Sequence, residues 1–245
     1  MRVMKKRLTD RMYQRKHRAK RERQIRLLEC DVQDLGSKIA LLHRFLQDTT
    51  VAASHAEGTR RHQLQTHAQF IIMQYFNVYR NGYSWPLAGL QESFLRSIVA
   101  ADVSGVDLCG VDAYVQQWRL YGEHFSLCVL EPQIMKTQLF EYQSVIVKVE
   151  VMLYLRFNHR TIDMLLPSLK TGQVDPKLAL PLVTGTTSVL GAYTFVVDHT
   201  GYVRKIIVSL DLLETLRRVL GSLHNVMHFT KGGKIDLSTG TITVE

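Results

Sequence analysis

The sequence has few of the features that mark extracellular, metal-binding or membrane proteins. Its 245 residues include three cysteines, Cys30, Cys109 and Cys128, which form neither a CxxC pair nor a set with histidines at ligand spacing. Such an odd, scattered set indicates no disulfide framework and no zinc site, and it fits a reducing compartment. No run of 18 apolar residues occurs and the N-terminus lacks the apolar stretch of a signal peptide, so we expect no membrane partner.

Acidic residues are scarce at the start of the chain. Residues 1–26, here called the basic arm, hold twelve lysines and arginines against two acids, a net charge of +10. The other 219 residues carry a net charge of −1, so the +9 of the whole chain belongs to this arm. Dense positive charge attracts polyanions because it neutralises phosphates and releases their counterions. The arm therefore predicts a nucleic-acid partner, and its basic clusters, such as Lys5-Lys6-Arg7, fit import into the nucleus.

Proline is absent between Lys5 and Leu46 and Gly36 is the only glycine there, so we expect one continuous helix. Its second half repeats apolar residues at alternating spacings of three and four. We call this stripe the heptad seam; it consists of Ile25, Leu28, Val32, Leu35, Ile39, Leu42 and Leu46. Three of the four a positions are β-branched and every d position is leucine, a combination that favours parallel two-stranded coiled coils. The seam predicts a dimer.

The seam is short and its flanking charges are poorly matched. Gly36 costs roughly 1 kcal/mol of helix propensity relative to alanine. Asp31 would face Gly36 of a second copy, and Lys38 would face His43, so no attractive pair supports a homodimer. A homodimer and a heterodimer with another zipper protein both stay open. A single amphipathic helix packed on a globular domain is the alternative, but an arm that continues directly into a seam is the arrangement that a forked DNA-binding dimer needs.

The segment from Lys5 to Leu46 resembles the DNA-binding region of basic leucine-zipper proteins, and the run Met12 to Arg18 resembles the core of an oomycete-like variant of that family. The family places an arginine ten residues before the first d-position leucine and an asparagine eight residues before that arginine. Arg18 and Asp10 stand at these positions. The resemblance implies a transcription regulator bound to double-stranded DNA, with these residues at the DNA: Asp10, Arg11, Tyr13, Gln14, Arg15, Lys16, His17, Arg18, Arg21 and Arg23.

The arm departs from the family pattern at several positions. Asp10 replaces an asparagine that bonds a base edge bidentately; aspartate can accept from cytosine N4 but cannot donate. Tyr13 and His17 replace small residues. An altered sequence preference, or loss of specific binding, follows from these changes. Structured RNA would be attracted by the same charge, and a true start upstream of Met1 is a further alternative.

The remainder of the chain predicts a separate α+β domain. We expect a linker over residues 47–58, the domain over residues 59–229 and a tail over residues 230–245. Helical spacing predicts helices over Thr59–Tyr79, Leu90–Ala101, Asp112–Tyr121 and Asp211–His224. Alternation of apolar residues predicts strands over Phe125–Met135, Val145–Leu155, Tyr193–Val197 and Tyr202–Ser209. Helices followed by strands indicate a curved antiparallel sheet wrapped around a helical layer.

The element order and the stretch Phe70–Gly82 (FIIMQYFNVYRNG) resemble the nuclear transport factor 2-like cone, also seen in SnoaL-type cyclases and ketosteroid isomerase. The resemblance implies a cone-like domain that often has a pocket. Isomerase chemistry needs a carboxylate facing hydrogen-bond donors in an apolar cavity. No spacing assembles such a set from the residues considered for it, which are Asp102, Asp107, Asp112, Tyr114 and His124.

For these residues we therefore expect structural roles. Asp112 should lie at a helix N-terminus, Tyr114 and Trp118 in the core, and His124 at a strand edge. The chain is accordingly expected to be a regulator rather than an enzyme, without a cofactor, and its second domain to support the dimer, a partner or an unknown small ligand. The alternative is a small-molecule enzyme or ligand-binding cone whose basic arm serves nuclear targeting or RNA binding.

Overall fold

The computed structural model describes residues 2–140, 144–165, 167 and 180–243, and among residues 2–57 only some of the side chains. The chain divides into two compact units, Met1–Thr59 and Arg60–Glu245. A helix, α1 (Arg2–Val78), contributes to both units. In the first unit the expected helix is present, since neither proline nor a second glycine interrupts it before Gly58. Residues 47–58, which the sequence suggested as a linker, are helical as well, and their alanines favour that conformation.

The second unit contains the end of α1, six further helices and five strands among its described residues. A 3-10 turn (Trp85–Leu87) leads into α2 (Ala88–Ile98), β1 (Val99–Ser104) and α3 (Val111–His124). Two long strands follow, β2 (Phe125–Phe140) and β3 (Ser144–Phe157), and then the short helices α4 (His159–Leu165) and α5 (Leu180–Thr184). The described chain closes with β4 (Thr187–Val197), β5 (Val203–Leu210), α6 (Leu212–Leu220) and α7 (Leu223–Thr230).

The five strands form one mixed sheet in the order β1-β5-β4-β3-β2. The prediction of an antiparallel sheet was wrong for one pair, because β1 runs parallel to β5. Sequence patterning had assigned the start of β1 to the preceding helix, since the strand has only six residues and a weak alternation of buried and exposed positions. Irregular pairing of β2 with β3 between Pro132 and Ile134 is the kind of bulge that bends a sheet.

The core of the second unit is formed by the sheet and the end of α1, where Phe76 packs edge-on against Tyr193 and Phe195 of β4. Every second residue of β3 from Val145 to Leu155 is at most 2 % exposed, as the period-two pattern predicted. Ile72 and Phe76 of α1, and Tyr79 directly after it, are also almost fully buried. Burial of one such large apolar side chain contributes about 1.5–3 kcal/mol, so these residues contribute strongly to the stability of the unit. The predicted stop at Asn81-Gly82 is confirmed: α1 ends at Val78, and Gly82 has a left-handed φ of 70°.

The predicted helix over residues 211–224 is instead two helices. Gly221 ends α6 in a left-handed conformation, and Ser222 begins α7 by accepting a hydrogen bond from the Asn225 backbone N–H. The residues that follow are more than a tail, because Ile235 and Ile242 pair in a β-bridge and both are buried. Their contacts with α3 matter for the cavity described below.

The turn between β4 and β5 should make stability depend on pH. Burial of Asp198 would raise its pKa, but hydrogen bonds from Thr200, from Arg204 and from backbone N–H groups outweigh it and lower the pKa to about 2. Since the folded pKa is depressed, the stabilisation is present above the unfolded pKa of about 3.9 and is lost as pH falls towards 2. Between pH 6 and pH 3, urea unfolding should show a larger loss of stability for the wild type than for Asp198→Asn. Parallel losses would contradict this role.

Candidate functional sites

The basic arm is helical throughout its described length, residues 2–26. Five of its residues are spaced so that they share one helical face, and these are Asp10, Tyr13, Gln14, His17 and Arg18. Arg18 and Arg21 are exposed. The other side chains assigned to DNA lie outside the described part of the chain; they are those of Asp10, Arg11, Tyr13, Gln14, Arg15, Lys16, His17 and Arg23. For them the structure gives the helical backbone only.

The heptad seam is solvent-exposed along its whole length in the single chain. Its seven side chains, from Ile25 to Leu46, are 47–68 % exposed. Continuous apolar stripes of this kind on a monomer mark interaction surfaces, because apolar area left in water is unfavourable. The seam thus has the exposure that a coiled-coil partner requires.

Arm and seam are parts of one helix. Ten residues separate Arg18 from Leu28, which corresponds to about 15 Å along the axis at 1.5 Å per residue. From Lys5 to Arg23 the arm spans about 27 Å on the same basis, comparable to roughly eight base-pair steps of about 3.4 Å. A pair of such arms held together by the seam has the dimensions to lie along a DNA groove on both sides of a dyad.

The second unit contains an aromatic cavity of about 60 Å³. Its walls come from α1, α3, the sheet and the segment around Gly240; the lining residues that matter here are Tyr75, Tyr114, Trp118, Tyr121, Tyr193 and Gly240. The Trp118 ring stacks on Tyr79 with 4.5 Å between ring centroids, and its Nε1 donates to the Tyr75 hydroxyl at 3.2 Å. These ring contacts hold the wall rigidly, since each aromatic pair adds to the stabilisation that burial gives.

The cavity presents neutral hydroxyl groups. Burial raises the pKa of Tyr114 to about 12 and also raises the pKa of Tyr75, Tyr121 and Tyr193. At neutral pH all four are therefore phenols that can donate. Tyr121 donates to the Gly240 carbonyl at 2.8 Å and Tyr114 to the Ile206 carbonyl at 3.0 Å. No hydrogen bond of the Tyr193 hydroxyl appears among the described residues.

The residues considered for acid–base chemistry lie apart from one another. Asp102 pairs with Arg204 at 2.7 Å, and Asp112, in the first turn of α3 as predicted, pairs with Arg96. Asp107 accepts from the Thr239 hydroxyl at 2.8 Å at the cavity rim. His124 is the last residue of α3, directly before the first residue of β2. Its Nδ1 is buried with no hydrogen-bond partner among the described residues, and burial lowers its pKa.

Tyr114 and Trp118 are buried, as predicted. The cavity lining includes neither an acidic nor a basic side chain among the described residues. The arrangement can stack against a flat molecule and donate hydrogen bonds to it. Sequence reasoning missed Tyr121, Tyr193 and Gly240 as a set, because they come from α3, β4 and a segment far along the chain. The tyrosine and tryptophan stripe of α3 was the only signal, and it is equally typical of a core.

Comparison with known families gives one sequence match. Residues 70–124 match the model of the BZIP transcription factor 1 C-terminal domain. The match covers the end of α1, α2, β1 and α3, and it associates the second unit with a domain of a bZIP transcription factor. Among curated proteins none matches this sequence.

Several solved structures are similar in fold to the second unit. A candidate scytalone dehydratase from Novosphingobium aromaticivorans has 14% identity and a TM-score of 0.39, over 62% of this chain and 87% of its own. A candidate aromatic ring hydroxylase from the same species has 11% identity and a TM-score of 0.37, over 60% and 94%. A nuclear transport factor 2-like protein from Salmonella enterica has 12% identity and a TM-score of 0.37, over 59% and 90%. None of these values bears on a substrate or a partner.

These similarities correct one expectation. The sequence led us to expect that the chain is not an enzyme, because no spacing assembled a catalytic set. That prediction was wrong, since the similar structures include a candidate dehydratase and a candidate hydroxylase.

In the part of the chain that the structure describes, no helix is long and apolar enough to cross a membrane, and no three histidine, cysteine or acidic side chains cluster as metal ligands would.

Proposed function

We propose that the protein is a transcription regulator that binds double-stranded DNA as a coiled-coil dimer, with one basic arm of each copy in the major groove. The observation that carries the proposal is the uninterrupted passage from a +10 arm into an exposed heptad seam on one helix. A zipper sets the angle at which two arms fork across the groove, so arm and seam must share a helix. The match of residues 70–124 to a bZIP transcription factor domain supports the same conclusion.

Charge supplies the affinity for the duplex. Arginines and lysines of the arm would neutralise phosphates, and each neutralised phosphate releases counterions, so binding weakens steeply with salt. For six to ten phosphate contacts, the affinity should fall by roughly 10³–10⁵ between 50 and 200 mM salt. A nuclear location accords with this function and with the basic clusters of the arm.

The seam supplies the dimer, although a weak one. Burial of its apolar side chains against a second copy or a related zipper chain would remove their exposed area from water. Gly36 and the unmatched charges at Asp31 and Lys38 limit the stability of a homodimer. DNA that binds the dimer and not the monomer would stabilise it by mass action.

The face from Asp10 to Arg18 would read the bases. Arginine recognises guanine bidentately, whereas aspartate accepts from cytosine N4. With Asp10 in the position of the family asparagine, we expect a binding site that differs from those of proteins with asparagine there. Tyr13, Gln14 and His17 complete the face.

Site selection from a random duplex pool with the full chain tests the proposal. We expect an enriched site with dyad symmetry, a steep salt dependence and a protein mass of two chains on the duplex, measured by sedimentation. Equal affinity for structured RNA and duplex, without enrichment of any site, would instead favour the alternative of a basic targeting or RNA-binding arm. A protein that binds DNA as a monomer would contradict the proposal that the seam forms a coiled-coil dimer.

The aromatic cavity favours a second function in the same chain. Its apolar walls and hydroxyl donors suit a small neutral molecule, which the second unit would either sense or convert. This function is independent of the arm and can coexist with DNA binding.

A further inference from the structure

Residues 235–242, here called the strap, form one wall of the aromatic cavity. Thr239, Gly240 and Thr241 of the strap line the cavity opposite α3 and the sheet. The two ends of the strap pair with each other through the bridge of Ile235 and Ile242. The strap is therefore a small hairpin laid over the cavity and is not a strand of the five-stranded sheet.

Side chains hold the strap in place. The amide of Gln117 both donates to the Ile242 carbonyl at 2.6 Å and accepts from the Ile242 N–H at 3.0 Å. Asp107 accepts from the hydroxyl groups of Thr239 and Thr241 at 2.8 and 3.2 Å. One backbone bond, from Leu210 N–H to the Ser238 carbonyl, joins it to the end of β5. The strap is not a member of the five-stranded sheet, so its opening would break these bonds and expose part of the buried Ile242 but would leave the pairing of the five strands intact.

Gly240 brings its backbone into close contact with the cavity wall. Its φ is +71°, and a Cβ there would lie 2.5 Å from the Tyr121 hydroxyl and 2.6 Å from Leu210 Cδ1. Only glycine allows this approach, because both the conformation and the space exclude a side chain. The Gly240 carbonyl therefore accepts the hydrogen bond of the Tyr121 hydroxyl, which would otherwise face the cavity.

We propose that the strap is a lid and that its Gly240 carbonyl occupies the acceptor position of a small neutral aromatic ligand, which binds by displacing the strap and accepting a hydrogen bond from Tyr121. This inference rests on the second proposed function, that the cavity binds a small molecule. The ligand class is an aromatic ketone or a compound of similar size and chemistry.

Each part of the ligand description has its own basis. The ligand is neutral because the described lining has no charged side chain to pair with it. It is flat and aromatic because Trp118 and the tyrosine rings form the walls. It carries an acceptor because Tyr121 and Tyr193, which line the same cavity, are both neutral donors.

The cavity is too small to hold an aromatic ring unless one of its walls moves, and we assign this movement to the strap. Its volume of about 60 Å³ is far below the roughly 300–1,000 Å³ of pockets that hold drug-sized ligands. Removal of the strap would take away one wall and admit a ring. Binding and opening are therefore expected to occur together.

The test uses the full chain with acetophenone as the probe and α-methylstyrene, which has the same shape without the carbonyl oxygen, as its control. We expect acetophenone to bind saturably, and about tenfold more tightly than α-methylstyrene, by NMR titration. Hydrogen exchange of the strap amides, including that of Ile242, should become faster when acetophenone binds. The amides of β3 should be unaffected.

Two variants separate the lid from the site. Gly240→Ala should displace the strap, so that its amides exchange rapidly without a probe and acetophenone binds more tightly than to the wild type. Gly232→Ala is the matched control, because Gly232 also has a positive φ but, among the described residues, a Cβ there meets only Pro167 Cγ at 3.9 Å. Tyr121→Phe should remove the preference for acetophenone over α-methylstyrene. Circular dichroism checks that each variant is folded. If Gly240→Ala does not fold, Gln117→Ala, which releases the strap from α3, takes its place.

The outcomes distinguish the two proposals. Saturable binding of acetophenone with unchanged exchange in the strap would overturn the lid and leave the cavity as a ligand site. Equal affinity for both probes would contradict the proposal that a ligand carbonyl replaces the Gly240 carbonyl as the acceptor for Tyr121. Binding of neither probe to the wild type or to the strap variants would overturn the second proposed function together with the lid.

Discussion

Replacement of Arg15 and Arg18 by alanine is expected to abolish specific DNA binding. Arg18 lies on the proposed base-reading face, and Arg15 is assigned to the phosphates or to flanking contacts. Each lost contact of this kind costs about 1–3 kcal/mol, and a dimer loses each of them twice. Affinity for the selected site should fall at least about a thousandfold. Fluorescence anisotropy with a labelled duplex measures the loss, and the salt dependence of binding should become shallower as well.

The matched control removes the same charge elsewhere. Lys136 and Lys148 lie opposite each other on neighbouring strands of the second unit, and both are exposed. Their double alanine variant changes the net charge equally but should leave DNA affinity nearly unaltered. The thermal unfolding of the second unit should be the same in both double variants. Unaltered affinity in the arginine variant would refute the assignment of the arm.

Leu35→Pro is expected to uncouple the two arms. Leu35 is a d position in the middle of the seam and is 57 % exposed in the single chain. Proline in a helix interior removes a backbone hydrogen bond and clashes with the preceding turn, at a cost of about 3 kcal/mol or more. The affinity of the dimer for DNA should therefore fall about a hundredfold or more. Sedimentation of the protein on its selected duplex shows whether two chains remain together.

Gly36→Ala, at the neighbouring residue, is expected to have the opposite effect on dimer stability and DNA affinity. A Cβ at Gly36 meets nothing within 4 Å in the single chain, and alanine is favoured over glycine in a helix by about 1 kcal/mol. The dimer should become more stable, and DNA binding tighter. A Leu35→Pro variant that still forms a cooperative dimer on DNA would mean that the heptad register is wrong.

The two units of the chain differed in how much of their structure could be predicted from the sequence. For α1, the helix and its exposed stripe follow from local properties: residues with high helix propensity, absence of proline and a period of seven. The long strand β3 was also evident, because alternation of Val145, Val147 and Val149 with polar residues is a local signal. By contrast, β1 was missed, since its six residues pair in parallel with a strand that is distant in sequence.

The cavity illustrates the limit more clearly. Tyr121 and Gly240 are separated by more than a hundred residues, and Tyr193 lies on a third element. Spacing in one dimension cannot bring them together, and a residue such as Gly240 has no side chain by which to be noticed. Of the acidic residues that sequence reasoning did consider, Asp102 and Asp112 form solvent-exposed ion pairs, and Asp107 accepts hydrogen bonds from threonine hydroxyls. The proposed ligand site of this unit therefore depends on packing and not on a motif.

The sequence by itself determined where the positive charge lies, that the charged segment is a helix and that the same helix carries an apolar stripe, because charge, propensity and periodicity are properties of neighbouring residues. Only the tertiary structure decided that the sheet is mixed, that tyrosines from three elements line one cavity and that a hairpin near residue 240 covers it. Those features arise from contacts between residues far apart in the chain, which are fixed by the way the core packs.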